Sequence, residues 1–399
     1  MKKQTKVIRT QTAQSQHREH SSPLFLTSSF TFESAEQGRA IFDESEKGNL
    51  YSRFSNPTVQ EFVDKVCMLE ECEDGVATAT GMAAVFASLA GILQSGDHLI
   101  ASRALFGSAH QIITQILSKW GITHTYLDAS APEADWEAAI QPNTRMVYVE
   151  TPSNPGLELV DMAMIGKLCE KHGLIFNVDN CFATPSLQVP AQFGAHLVVH
   201  SATKFMEGQG RVLGGVVVGS KEYIKPLRFF CRQTGPSMSP FTAWVLSSSL
   251  ETLDLRMEKH CDNALKLAQA LEQLPEVKQV NYPFLPSHPQ YELATRQMSA
   301  GGGIITIDLE GGFDRVSAFM KALKIPSLSA NLGDTRTIIT NPYTTTHSKL
   351  KPEEKASLGI TEGLIRISVG LEAVEDLIQD FTQAARVSAG VVLNQENLA

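Results

Sequence analysis

The sequence has no hydrophobic stretch able to cross a bilayer: its longest run of small and apolar residues, 81–93, falls short of the roughly 20 that a spanning helix needs. The basic start, residues 1–9, lacks the apolar segment of a signal peptide, so a soluble cytoplasmic protein is expected. Cysteine is sparse. Cys67, Cys72, Cys169, Cys181, Cys231 and Cys261 are scattered without CxxC spacing, which argues against a disulfide framework or a zinc site and for buried thiols. Positive charge is also short: 34 Lys and Arg against 43 Asp and Glu give a net charge of −9, which repels nucleic acid and anionic membranes in the absence of a basic patch. There is no repeat, no low-complexity tract, no Walker-type phosphate loop, no HExxH and no GxSxG. His196 and His200 lie four apart on an expected strand without a carboxylate base, and read as core or surface histidines. Gly208-Gln209-Gly210 with Gly214 and Gly215 precedes a strand instead of opening a helix after one, so it is no dinucleotide fingerprint.

What is present is a chain of 399 residues, 43% hydrophobic, enough for a large core and two domains. Asn56 and Pro57 predict the start of a helix with Val59, Phe62, Val63, Val66 and Leu69 on one face. Short apolar runs at 76–80, 98–101, 146–150, 174–178, 196–200 and 214–218 alternate with helical patterns. That alternation predicts an α/β fold with a mostly parallel, doubly wound sheet. A long helix over 246–274 is expected to lead to a smaller C-terminal α/β unit with strands at 303–309, 337–340 and 364–369. The expected divisions are an N-terminal arm, 1–55, a large domain, 56–260, and a small domain, 261–399, with 394–399 a frayed end.

Three segments carry chemistry. His200-Ser201-Ala202-Thr203-Lys204 follows an apolar strand and sets an amine and two hydroxyls in the loop at its end, where open α/β sheets bind ligands. A lysine there serves as an imine-forming nucleophile only if its pKa is lowered; taken alone it reads as a solvated surface residue. Val178-Asp179-Asn180 ends a strand in a carboxylate, able to hold a pyridine nitrogen protonated or simply to cap a helix. Ala79-Thr80-Gly81-Met82 runs from strand to helix through glycine, as an anion cradle or a plain turn. Together they supply an amine, an acid and an anion site at strand ends of one sheet.

These residues resemble the Cys/Met-metabolism enzymes, the γ-family of fold-type I pyridoxal phosphate proteins. Tyr51-Ser52-Arg53 with Asn56-Pro57-Thr58, Gly81-Met82, Glu150-Thr151-Pro152-Ser153-Asn154-Pro155, Asp179-Asn180, Ser201 to Lys204 and Arg366-Ile367-Ser368-Val369-Gly370 stand in that family's order over nearly the whole chain. The resemblance implies an aspartate aminotransferase-like fold with pyridoxal 5′-phosphate as cofactor. It also implies a homotetramer of dimers that share active sites, with small-molecule substrates and neither nucleic acid nor membrane as partner. It makes Lys204 the residue that carries the cofactor as a Schiff base and shuttles protons, and Asp179 the partner of the ring nitrogen. Gly81, Met82, Ser201 and Thr203 hold the phosphate, joined by Tyr51 and Arg53 from the neighbouring subunit. Arg366 clamps the substrate carboxylate, with Asn154 near that carboxylate and the ring hydroxyl, and Asn331 on the substrate side.

Three departures stand out from the family pattern. Phe106 replaces a stacking tyrosine and removes its hydroxyl, Cys181 replaces a threonine, and Asn341-Pro342 replaces His-Pro. Segments 208–215, 234–239, 288–291 and 331–334, with Phe106, resemble the branch that performs γ-replacement on O-succinyl-L-homoserine with sulfide, giving L-homocysteine and succinate in methionine biosynthesis. Sister branches use the acetyl ester, or cysteine as the thiol. Methionine γ-lyase is further off, because Ser108 stands where that branch resembles a cysteine-bearing type. A cofactor-free aldolase or a noncatalytic α/β binding protein predicts a colourless purified chain instead. Lys204→Ala is expected to abolish turnover; near-normal steady-state activity in that variant would end the assignment.

Overall fold

The computed structural model describes residues 1–396. Asn56 opens the helix Pro57–Glu70, accepting the N–H of Thr58 at 2.9 Å and of Val59 at 3.4 Å, while Pro57 fills a first-turn position that needs no donor. Phe62, Val63, Val66 and Leu69 follow at helical spacing and are buried against a sheet. That sheet comprises β1 (Asp74–Thr78), β2 (His98–Ser102), β3 (Thr123–Leu127), β4 (Thr144–Glu150), β5 (Ile175–Asp179), β6 (Leu197–Ser201) and β7 (Gly215–Gly219), in the order β1-β7-β6-β5-β4-β2-β3. Pairs β3-β2, β2-β4, β4-β5 and β5-β6 are parallel, and β7 runs antiparallel to both β1 and β6. Helices Pro57–Glu70 and Pro240–Leu250 cover one face at the β6 end, and Gly81–Ala90 and Lys221–Thr234 cover the other. Strands buried on both faces carry near-continuous Val and Ile, which is why the apolar runs mark them so clearly.

The second unit is built on β8 (Gln279–Asn281), β9 (Ile304–Asp308), β10 (Ser327–Leu328), β11 (Ile338–Thr340) and β12 (Leu364–Ser368), ordered β10-β11-β12-β9-β8. Only β10-β11 is parallel. Helices Gly312–Ala322 and Val374–Glu396 back it through Val316, Phe319, Leu377 and Phe381. Where one helix over 246–274 was expected, there are two: Pro240–Leu250 and Leu253–Glu272, parted at Glu251 and Thr252. The second joins the units. Its Leu253, Met257 and Cys261 pack in the first core and its Ala264, Leu267, Ala268 and Leu271 in the other, so the expected 260/261 division falls inside this helix. Residues 394–396 continue the last helix, and the remainder of the expected frayed end, 397–399, lies outside the described residues. The cysteines are free thiols, and no helix among the described residues is long and apolar enough to cross a membrane.

One close approach orients the units. Gly333 has φ +77, and a Cβ there would meet the Phe205 nitrogen at 2.5 Å and the Lys204 carbonyl carbon at 2.8 Å. Only glycine lets the 331–334 loop lie on the backbone of Lys204 in that left-handed conformation. Gly333→Ala is therefore expected to cost about 1–3 kcal/mol of stability, read as a lower urea midpoint; an unchanged midpoint would mean that this contact does not hold the loop.

Candidate active site

The carboxyl edge of the parallel strands gathers the expected residues, because each strand there ends in a loop that delivers one of them. After β1, Thr80 caps the helix Gly81–Ala90 by accepting the N–H of Ala83 at 3.1 Å, leaving those of Gly81 and Met82 at the open end. Gly81 allows a close contact. A Cβ at that position would fall 2.6 Å from Ser201 Oγ, so its absence brings the hydroxyl at the end of β6 up to the helix N-terminus. Thr203 is tied more tightly than expected: its Oγ1 accepts the Gly214 N–H at 3.0 Å and donates to the Gly214 carbonyl at 3.2 Å.

Lys204 Nζ donates to Asn331 Oδ1 at 2.7 Å. Burial lowers the pKa of Lys204, with Cys181 opposing the shift and Arg366 adding to it. Asp179 and Lys204 both act on Cys181, whose N–H donates to Asp179 Oδ1 at 3.0 Å, so amine and acid share one site. Burial pushes Asp179 up to about 6, opposed by the Cys181 N–H, His200 and Tyr148. Beside it in register stands Glu150, which accepts the N–H of Phe106 at 2.7 Å and of Asn154 at 3.1 Å. Burial, then the charge of Asp179, hold Glu150 well above the usual carboxylate range. One side chain thus ties the Phe106 loop to the Asn154 loop.

Arg366 comes from β12 of the second unit and is 2% exposed. Its Nη1 donates to Asn154 Oδ1 at 3.0 Å, and its Nη2 to the carbonyls of Ala330 and Asn331 at 3.1 Å each. Among the described residues no carboxylate pairs with it, and burial lowers its pKa to about 10. His347, 1% exposed, is held down at about 4 by burial and then by Arg366, so it stands near that guanidinium as a neutral imidazole.

Tyr51 and Arg53 are not brought to this place within the chain. Tyr51 is 45% exposed, the Arg53 guanidinium lies 4.7 Å from the Phe54 ring centre, and both line a hollow with Ser237, Met238, Ser239 and Pro240. A separate cavity of about 840 Å³, lined by Leu187, Phe193, Met257, Tyr282 and Met298, contains none of the expected site residues. No metal-holding cluster of His, Cys, Asp or Glu occurs among the described residues. The sequence reading gave no role to Glu150, which sits inside the quoted Glu150-Thr151-Pro152 segment, or to Gly333, whose signal was its place in Asn331-Leu332-Gly333-Asp334. It took His200 for a core or surface histidine and passed over Glu70.

An amine of lowered pKa, a buried acid, a helix N-terminus beside a hydroxyl, and a guanidinium lacking its anion suit pyridoxal phosphate and an amino acid. The comparisons agree. A family model for Cys/Met metabolism PLP-dependent enzymes matches residues 4–386. An O-succinylhomoserine sulfhydrylase of Pseudomonas aeruginosa is 46% identical over 365 residues, 92% of this chain and 90% of that protein. An L-methionine gamma-lyase of Porphyromonas gingivalis is 42% identical over 361 residues, 90% of each. The solved structure of a putative O-acetylhomoserine (thiol)-lyase from Campylobacter jejuni, which carries an N′-pyridoxyl-lysine-5′-monophosphate, superposes with a TM-score of 0.93 at 31% identity, covering 97% of this chain and 100% of that one.

Arg366→Met removes the charge at similar volume. Its thermal midpoint is expected to stay about unchanged, because an uncompensated buried cation is lost with the hydrogen bonds, while affinity for a small α-carboxylate ligand falls at least about tenfold. A lower midpoint with unaltered carboxylate binding would make Arg366 a purely structural cation.

Proposed function

This chain belongs to the Cys/Met metabolism PLP-dependent enzymes, fold type I in architecture with pyridoxal phosphate as cofactor, and within that family we propose that it catalyses γ-replacement on O-succinyl-L-homoserine with sulfide, releasing L-homocysteine and succinate. The observation that carries an amino-acid substrate is the buried guanidinium of Arg366, which has no acid paired with it among the described residues and is aligned by Asn154 and the 330–331 carbonyls. The succinyl ester is favoured by the segments 208–215, 234–239, 288–291 and 331–334 and by the name of the 46% identical relative.

Bound pyridoxal phosphate supplies an electron sink conjugated to the substrate's α-carbon. In the proposed assignment the N–H groups of Gly81 and Met82, with Ser201 and Thr203, hold its phosphate. Tyr51 and Arg53 of a neighbouring subunit complete that shell in a homotetramer; their exposure in the single chain suits such a role. Asp179 keeps the ring nitrogen protonated, and Phe106 covers the ring without offering a hydroxyl. Arg366 fixes the α-carboxylate by paired N–H donation. Lys204, with its pKa lowered by burial, has a larger neutral fraction than a surface lysine. That fraction would let it act as a tethered base, taking the proton from Cα, giving it up to the conjugated system, then taking one from Cβ, and returning protons to Cβ and Cα once sulfide has replaced the ester group. Asn331 orients Nζ between those transfers. Loss of the ester carboxylate from Cγ opens the position to sulfide.

Elimination is the second reading, favoured by the 42% identical methionine lyase. Steady-state assays of the succinyl and acetyl esters, each with sulfide or cysteine, and of methionine alone separate the possibilities. The succinyl ester with sulfide is expected to show the highest kcat/KM, by roughly tenfold or more. A preference for the acetyl ester, for cysteine, or for methionine breakdown without added thiol would replace this reading by the corresponding one.

A further inference from the structure

Behind Asp179, under the helix Pro57–Glu70, lies a buried acid and imidazole pair. His200 Nε2 is 2.5 Å from Glu70 Oε1, with the two side chains 1% and 0% exposed. The same carboxylate oxygen accepts from Asn180 Nδ2 at 2.8 Å. Asn180 follows Asp179 directly, and its N–H donates to the Val199 carbonyl at 3.0 Å, which locks the ends of β5 and β6 together. His200 is therefore one residue beyond the register partner of Asp179, on a strand hydrogen-bonded to its own, while Glu70 belongs to the covering helix.

At 2.5 Å the contact is as short as a charge-assisted hydrogen bond, and Asn180 donates to the same oxygen. The imidazole is the member on the strand that neighbours Asp179, and the carboxylate is the member on the helix. Around Asp179 the other titratable groups are Glu150 and Tyr148 from β4 and Cys181 from its own loop, with Lys204 reached through Cys181. Glu150 works against the charged form of Asp179, and His200 works for it. The balance is narrow. Burial raises Asp179 to about 6, so its ionised form depends on the groups packed around it.

We propose that His200, kept as an imidazolium by Glu70, is a positioning residue that holds Asp179 ionised and thereby holds the cofactor's ring nitrogen protonated. The proposal rests on Asp179 being the partner of that nitrogen. His200 and Glu70 are both buried behind Asp179 and act through it.

The test uses holoenzyme reconstituted with nitrogen-labelled pyridoxal phosphate. In the wild type, NMR is expected to show both ring nitrogens of His200 protonated near neutral pH; a neutral imidazole overturns the proposal without any variant. In Glu70→Gln and His200→Gln the cofactor's ring-nitrogen resonance is expected to move from the pyridinium position toward neutral pyridine. The acid limb of kcat/KM should rise by on the order of one pH unit, and kcat should fall more than KM changes. A merely structural pair would lower the thermal midpoint and leave the ring-nitrogen resonance in place, which overturns the proposal. Asp179→Asn is the control: if it too leaves the nitrogen protonated, the reading of Asp179 fails, and if it alone deprotonates the nitrogen, only the role of His200 and Glu70 fails.

Discussion

The burial of ionisable side chains is the constraint on which the site depends. Lys204, Asp179, Glu150 and Arg366 converge on one edge of the sheet, and each has its pKa displaced by burial before any other influence. Their direct hydrogen bonds are to neutral groups: Asn331 for Lys204, backbone N–H groups for the two acids, and Asn154 with two carbonyls for Arg366. Such groups are costly in an empty site. A ligand with a ring nitrogen, a phosphate and a carboxylate returns that cost as binding, and the same displacements set the protonation states that proton transfer requires.

Keeping the charges in place takes two units and a rigid junction. The first sheet delivers Lys204, Asp179 and Glu150, while the second delivers Asn331 and Arg366. The helix Leu253–Glu272 threads both cores, and its buried Arg256 donates from Nη1 to the Phe205 carbonyl at 2.5 Å and from Nη2 to the Met206 carbonyl at 3.1 Å, fixing the turn that follows Lys204. Gly333 presses on the same backbone from the other side. The backbone that carries the amine is thus held by a guanidinium and a glycine, which is how a packed frame converts burial into orientation.

Much of this was legible in the residues because the central parallel strands are buried on both faces and write themselves as apolar runs. The strand ends, the cap at Asn56 and the helix start at Gly81 all lie where local chemistry requires them. The strands that escaped notice are the ones without such a run. β3 reads Thr-His-Thr-Tyr-Leu at the sheet edge and stays half-exposed, β8 is three residues long, and β10 two. The break at Glu251 and Thr252 has no proline or glycine to announce it. In the site, residues that touch a ligand follow a motif order, whereas those that act through another residue do not. Glu70 and His200 are 130 positions apart and meet only through the packing of a helix on a sheet.

The departure at Asn341 shows how the substrate side is built from the same economy of neutral partners. Asn341 is buried, and its Nδ2 donates to the carbonyls of Glu362 and Leu364, while its Oδ1 accepts from the Thr344 N–H and hydroxyl. Every polar atom of that side chain is occupied in stapling the turn 341–347 to β12, the strand of Arg366. The turn carries His347 up to Arg366, where a charged imidazole would repel the guanidinium. Burial keeps that imidazole neutral, so the wall beside Arg366 adds polarity without adding charge.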